Sequence, residues 1–150
     1  GIRDINRRHK RTLTNLLQPV KGLAFVRLPD PEGDSATFLN LLLPDQESAQ
    51  RCVQQFQQAG LGGFNYWYTN MYHFINQWDH LKELRTASAL PINLLGSPQQ
   101  YATLQLPKSQ QTIGRLISFG IRCTWKEDEV VQLGKQIASC IQKALQPAHV

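Results

Sequence analysis

The chain has 150 residues, 41% of them hydrophobic, and a formal net charge of +5. That length suffices for one domain with a real core, no window approaches a membrane span, and no apolar run follows the basic N-terminus as a signal peptide requires. Residues 1–11 carry +4 of the net charge, through Arg3, Arg7, Arg8, Lys10 and Arg11 against Asp4; charge confined to one short segment is not a spread docking surface, which speaks against a nucleic-acid partner.

Taken in chain order, residues 2–18 read as a helix. Ile2, Ile5, His9, Leu13, Leu16 and Leu17 form one stripe at helical spacing, Arg7, Arg8 and Arg11 lie mostly off it, and Pro19 stops it. No capping residue precedes it, the pattern expected of a chain that begins inside a longer helix. Leu23 to Leu28 reads as a short strand closed by Pro29, and Pro29 to Ser35 has strong turn chemistry. Thr37 to Leu43 is apolar on both faces and reads as a central strand, antiparallel to the first. Pro44-Asp45 opens a second helix with Asp45 as N-cap. Its buried face is Ala49, Cys52, Val53, Phe56 and Ala59, its outer face is glutamine-rich, and Gly60 ends it.

An aromatic strand follows over 63–68, then a helical pattern from Tyr72 to Leu84 through Phe74, Ile75, Trp78 and Leu81. Residues 85–106 read as irregular, with Pro91, Pro98 and the turn Gly96-Ser97-Pro98, and a segment of that length is often functional. Ser109 to Arg115 reads as a short helix and Ile117 to Ile121 as a strand. Thr124-Trp125-Lys126-Glu127 reads as a capping box that opens a last helix to about Gln146, with Val130, Leu133, Ile137, Cys140, Ile141 and Ala144 buried. Pro147 marks the tail. The pattern predicts a single α+β domain over 1–150: a small, mostly antiparallel sheet with helices on one face.

The least ordinary stretch is Gly60 to His73. Three glycines in four residues precede six rings within ten residues, with Asn65, Thr69 and Asn70 among them. Large flat rings mixed with amide and hydroxyl groups make up a small-molecule site wall; a buried aromatic strand with satisfied polar tips is the structural alternative. No catalytic constellation is evident elsewhere. His9, His73, His80 and His149 do not repeat at ligand spacing, and Asp79-His80 are helix neighbours pointing apart. No P-loop, GxGxxG or GxSxG occurs. Cys52, Cys123 and Cys140 are odd in number and widely spaced, which suggests neither disulfides nor a metal site and fits a reduced, cytoplasmic setting. A Schiff-base lysine must be desolvated. Only Lys108, after Leu106-Pro107, falls near a plausible pocket.

Several segments in order resemble the C-terminal small domain of the DegT/DnrJ/StrS family of PLP-dependent sugar aminotransferases, over nearly the whole chain. They are the basic helix Ile5 to Arg11, a strand of the Thr37–Leu43 kind and a helix ending at glycine. Tyr66-Trp67-Tyr68-Thr69-Asn70 follows, with His73 shortly after. Ser109, Gly114-Arg115-Leu116-Ile117-Ser118 and Thr124-Trp125-Lys126-Glu127-Asp128-Glu129 close the series. The last two are similar to a subgroup acting on nucleotide-linked sugars or octulosonic acids. Gly120 departs from the proline many members carry, and the Trp67–Asn70 text departs from a His-Tyr or His-Thr pair. The resemblance implies a fold-type I aminotransferase small domain, inactive alone, that closes over pyridoxal 5'-phosphate and a keto-sugar, with glutamate as amino donor. The cofactor lysine would lie on an N-terminal large domain of the same enzyme, in a homodimer. It further implies sugar contacts from Tyr66, Trp67, Tyr68, Asn70 and His73, and an anion contact from Arg115. The competing expectation is a free-standing, non-enzymatic α+β binding module that docks an acidic partner through residues 3–11.

Overall fold

The computed structural model describes residues 1–85, 87 and 103–146. Most of the expected irregular segment, with Pro91, Gly96 and Pro98, lies outside these residues, as do Pro147 and His149. In chain order the elements are α1 (Ile2–Leu17), β1 (Ala24–Phe25), β2 (Phe38–Leu42), α2 (Gln46–Gln58) and β3 (Phe64–Tyr66). Three 3-10 turns follow, at Trp67–Thr69, Met71–His73 and Ile75–Gln77, then α3 (Asp79–Lys82), α4 (Pro107–Ile113), β4 (Leu116–Gly120) and α5 (Glu127–Leu145).

The four strands form one sheet in the order β1-β2-β4-β3, each neighbouring pair antiparallel. Leu39 pairs with Phe119 and Leu41 with Ile117, and on the other side of β4 Phe64 pairs with Phe119 and Tyr66 with Ile117. Directly opposed residues share a face, so these six side chains lie on one side of the sheet. There they join Leu13 and Leu17 of α1, Cys52 and Phe56 of α2, and Val130, Ile137 and Ile141 of α5 in one hydrophobic cluster. All three long helices therefore cover the same face, and the chain is an α+β protein. Phe56 packs edge-on against Phe119 and tilted against Phe64, each at 5.2 Å between ring centroids.

Helix α5 lies between α1 and α2. Its approach to α1 depends on Gly134, where an added Cβ would lie 2.6 Å from Leu16 Cδ1 and 3.3 Å from Leu13 Cδ2. The α2 ends are built as expected. Asp45 accepts from the Ser48 N–H at 2.7 Å, and Gly60 takes φ +67°, a conformation that favours glycine just past a helix end.

Three of the five basic side chains of α1, Arg7, Arg8 and Lys10, have partners within the fold. Arg7 Nε donates to the Asp34 carbonyl at 2.9 Å, its Nη2 to the Glu32 carbonyl, and Lys10 Nζ pairs with the Asp34 carboxylate at 2.7 Å. Arg8 pairs with Glu127 at 3.2 Å. Buried His9 bonds the Arg122 carbonyl through Nδ1 at 3.0 Å; a carbonyl only accepts, so Nδ1 carries the proton.

Several local expectations differ from the structure: the aromatic strand expected over 63–68 ends at Tyr66 with Trp67–Thr69 in a 3-10 turn, and the short helix expected over 109–115 runs Pro107–Ile113. β1 pairs at Ala24–Phe25 only, with one further bond from the Val26 N–H to the Asn40 carbonyl; beyond it the chain turns back toward Arg7 and Lys10. The expected helix over 72–84 is instead two 3-10 turns and the single turn α3. Side chains tie this segment to the backbone at and before its start: Asn70 Oδ1 accepts from the Tyr72 N–H, Gln77 Nε2 donates to the Tyr68 carbonyl, and Trp78 Nε1 donates to the Met71 carbonyl. The cap of α5 lies two residues later than expected, where Glu129 accepts from the Lys126 N–H at 2.8 Å. Glu127, Asp128 and Glu129 then fill the first turn, where negative charge is favourable.

Two outcomes are expected. Gly134→Val should cost about 1–3 kcal/mol through overpacking against Leu13 and Leu16, read by urea unfolding; unchanged stability would show that α1 and α5 are not in close contact. For Asp34, burial pushes the carboxyl up, but the Lys10 hydrogen bond, the Ala36 N–H and the charges of Lys10 and Arg7 together hold it below its ordinary 3.8. A depressed carboxylate contributes stability that is present above the unfolded value and lost as pH falls through the folded one. Stability should therefore drop below about pH 4, and Asp34→Asn should remove part of that drop.

Candidate functional site

The sheet face opposite the long helices carries the alternate residues: Phe38, Asn40 and Leu42 of β2, Leu116, Ser118 and Gly120 of β4, and Asn65 of β3. The register sets Ser118 directly between Asn40 and Asn65. Phe38 remains 41% exposed and Val26, whose N–H donates to the Asn40 carbonyl, 36%. At the centre, the Trp67 indole N–H donates to Ser118 Oγ at 2.6 Å, and Ser118 Oγ donates to Asn40 Oδ1 at 2.6 Å. Ser118 is fully buried, and the chain uses its hydroxyl once as acceptor and once as donor. Trp67 is thereby held against the sheet. The His73 ring stands edge-on to it, 4.5 Å between centroids. These two residues are the pair that the aromatic segment brings together on this face.

The other expected site residues go elsewhere. Tyr66 sits on the helix side, 7% exposed, and donates its hydroxyl to the Gly114 carbonyl at 2.7 Å. Burial, with Tyr68 beside it, pushes its pKa to about 12, so the phenol stays a donor. Tyr68 is half-buried, 6.1 Å from each of the rings of Tyr66 and Phe74. Asn70 caps the turn at Tyr72 and, with Tyr66, borders a cleft of about 530 Å3 between α2 and β3. Arg115 Nη1 donates to the Pro44 carbonyl at 3.4 Å. It lies in a separate cleft of about 430 Å3 with Asp45, Gln46, Gln110 and Gln111, and forms no ion pair with a carboxylate among the described residues.

Ser118 and Asn40 were not anticipated as site residues. Their signal was present: each is the one polar side chain inside an otherwise apolar strand, and a buried polar group needs a partner. Lys108 lines a further cleft of about 440 Å3 with His73, Phe74, Ser109, Thr112, Ile113 and Leu116. None of the seven lysines of the chain is buried. The described residues hold no group of three or more potential metal ligands and no helix long and apolar enough to cross a membrane. Burial pushes the Cys52 thiol up to about 12, so it is an inert core residue. No protein-family model matches the chain.

Ser118→Ala should strip Trp67 and Asn40 of their shared partner and cost about 1–3 kcal/mol. The indole N–H resonance of Trp67 should move at the same time. Unchanged stability together with an unmoved resonance would show that the hydrogen-bond chain is not formed.

Proposed function

We propose that this chain is the C-terminal small domain of a pyridoxal-phosphate-dependent aminotransferase of the DegT/DnrJ/StrS kind, acting on a keto-sugar with glutamate as amino donor. The observation that carries the reading is the one-sided architecture. Three helices cover one sheet face, while the other presents a fixed indole, an imidazole and exposed Phe38 and Val26. Such a face suits a domain that closes over a ligand held by a second body and excludes water from it. The order of sequence motifs agrees with this reading.

The chain's own residues do not fit the cofactor. An aldimine lysine must be desolvated, and every lysine here is partly or fully exposed. The cofactor and its lysine would belong to the N-terminal large domain, and no catalytic step falls to this chain. Its part would be positioning: Trp67 as a stacking surface for the sugar, and His73 as a hydrogen-bonding group beside it. Tyr66 and Tyr68 would hold the aromatic segment in place, and Asn70 its turn. A homodimer and a cytoplasmic setting go with this reading. The alternative of a module docking acidic partners through residues 3–11 has less support, because Arg7, Arg8 and Lys10 already have partners within the fold.

The test is the intact mass of the native protein in its source cell, detected through this domain. A mass well above 17.1 kDa, with the additional sequence upstream of Gly1, is the expected result; a native mass of 17.1 kDa would overturn the proposal. Treating the 150-residue chain with pyridoxal phosphate and then borohydride should leave no single lysine stoichiometrically labelled.

A further inference from the structure

The reading above leaves Lys108, Ser109 and Thr112 without a role. With His73 they form the polar part of the 440 Å3 cleft, and Phe74, Ile113 and Leu116 form the apolar part. The two walls differ in kind. His73 is edge-on to Trp67, which the Ser118–Asn40 hydrogen bonds hold in place, and Phe74 is 4% exposed; this side is built into the fold. Lys108, Ser109 and Thr112 come from α4, whose Thr112 Oγ donates to the Lys108 carbonyl at 3.0 Å and so keeps its lone pairs for a second partner.

The charge in this cleft sets it apart. Arg122 shares its cleft with Glu129, Arg115 with Asp45, and Arg7, Lys10 and Arg11 with Glu32 and Asp34. No carboxylate lines the cleft of Lys108. A cation with hydroxyl and imidazole groups over an apolar floor is suited to a ligand with a charged oxyanion, polar edges and a carbon skeleton.

We infer that this cleft binds the oxyanion of a hydroxylated small molecule, a carboxylate or a phosphate, with Lys108 as the charge partner. Ser109 and His73 hydrogen-bond it or the adjoining hydroxyls, and Phe74, Ile113 and Leu116 pack against its carbon atoms. That the ligand is the acidic end of the substrate rests on the aminotransferase reading; the site itself does not.

The test is an NMR titration of the chain with inorganic phosphate, glucose 1-phosphate and gluconate at constant ionic strength. Saturable amide shifts at His73, Ser109, Thr112 and Leu116 are expected. Lys108→Gln should weaken binding about tenfold, whereas Lys21→Gln, at an exposed turn, should leave it unchanged. Saturation by gluconate alone assigns a sugar-acid carboxylate, and saturation by the phosphates assigns a phosphate; either supports the site. Shifts that do not saturate, that spread over other basic residues, or that persist in Lys108→Gln overturn it. The result separates from the native mass: saturation on a 17.1 kDa protein keeps the site and removes the aminotransferase, and a larger enzyme without saturation does the reverse.

Discussion

The structure depends on the register of β2 against β4. Pairing Leu39 with Phe119 and Leu41 with Ile117 puts four large apolar side chains on one face. The same pairing sets Asn40 against Ser118 on the other. A slip of β2 by one residue would turn its side chains over. It would take Leu39 and Leu41 out of the core and bring the Asn40 amide in, where an unpaired polar group costs about 1–3 kcal/mol. The register is therefore strongly specified, and with it the side on which α1, α2 and α5 must pack.

That alternation also divides the aromatic segment. Phe64 and Tyr66 follow the core parity and become part of the hydrophobic cluster. Asn65 and Trp67 follow the other parity and belong to the face opposite the long helices. One run of rings thus serves two purposes: half of it completes a core, and half furnishes a surface with a rigid indole. The 3-10 turns after β3 bring His73 back beside Trp67. Their cost in regular backbone hydrogen bonding is offset by the side chains of Asn70, Gln77 and Trp78.

Charge follows a similar economy. The basic N-terminal segment, conspicuous in composition, serves to anchor the loop around Glu32–Asp34 and the start of α5. The Lys10–Asp34 pair is only partly exposed, so it is less screened than a surface pair. The Arg51 guanidinium does comparable work at the far end, donating to the Ala144 carbonyl in the last turn of α5 at 2.9 Å and to Glu47 at 2.7 Å. Lys108 differs from the cations of the other clefts in that no carboxylate lines its own.

The long helices were legible in the sequence because their apolar stripes repeat at helical period: Leu13 and Leu17, Cys52 and Phe56, Val130, Ile137 and Ile141. The central place of β2 was legible because it is apolar on both faces, and the α+β class followed from the order of these elements. The backbone from Tyr72 to Lys82 was not legible, since its conformation is set by side-chain bonds to backbone groups several residues away, which periodicity does not register. The site was legible only as a composition. That Gly60 to His73 is rich in rings and amides is a local property; that Trp67 meets Ser118 51 residues on, and Tyr66 meets Gly114 48 residues on, is decided by strand pairing. The sequence by itself determined which residues are apolar and at what period, and hence the elements and the class of fold. Only the tertiary structure decided which ring faces the core and which faces outward, because that depends on the parity with which distant strands come into register.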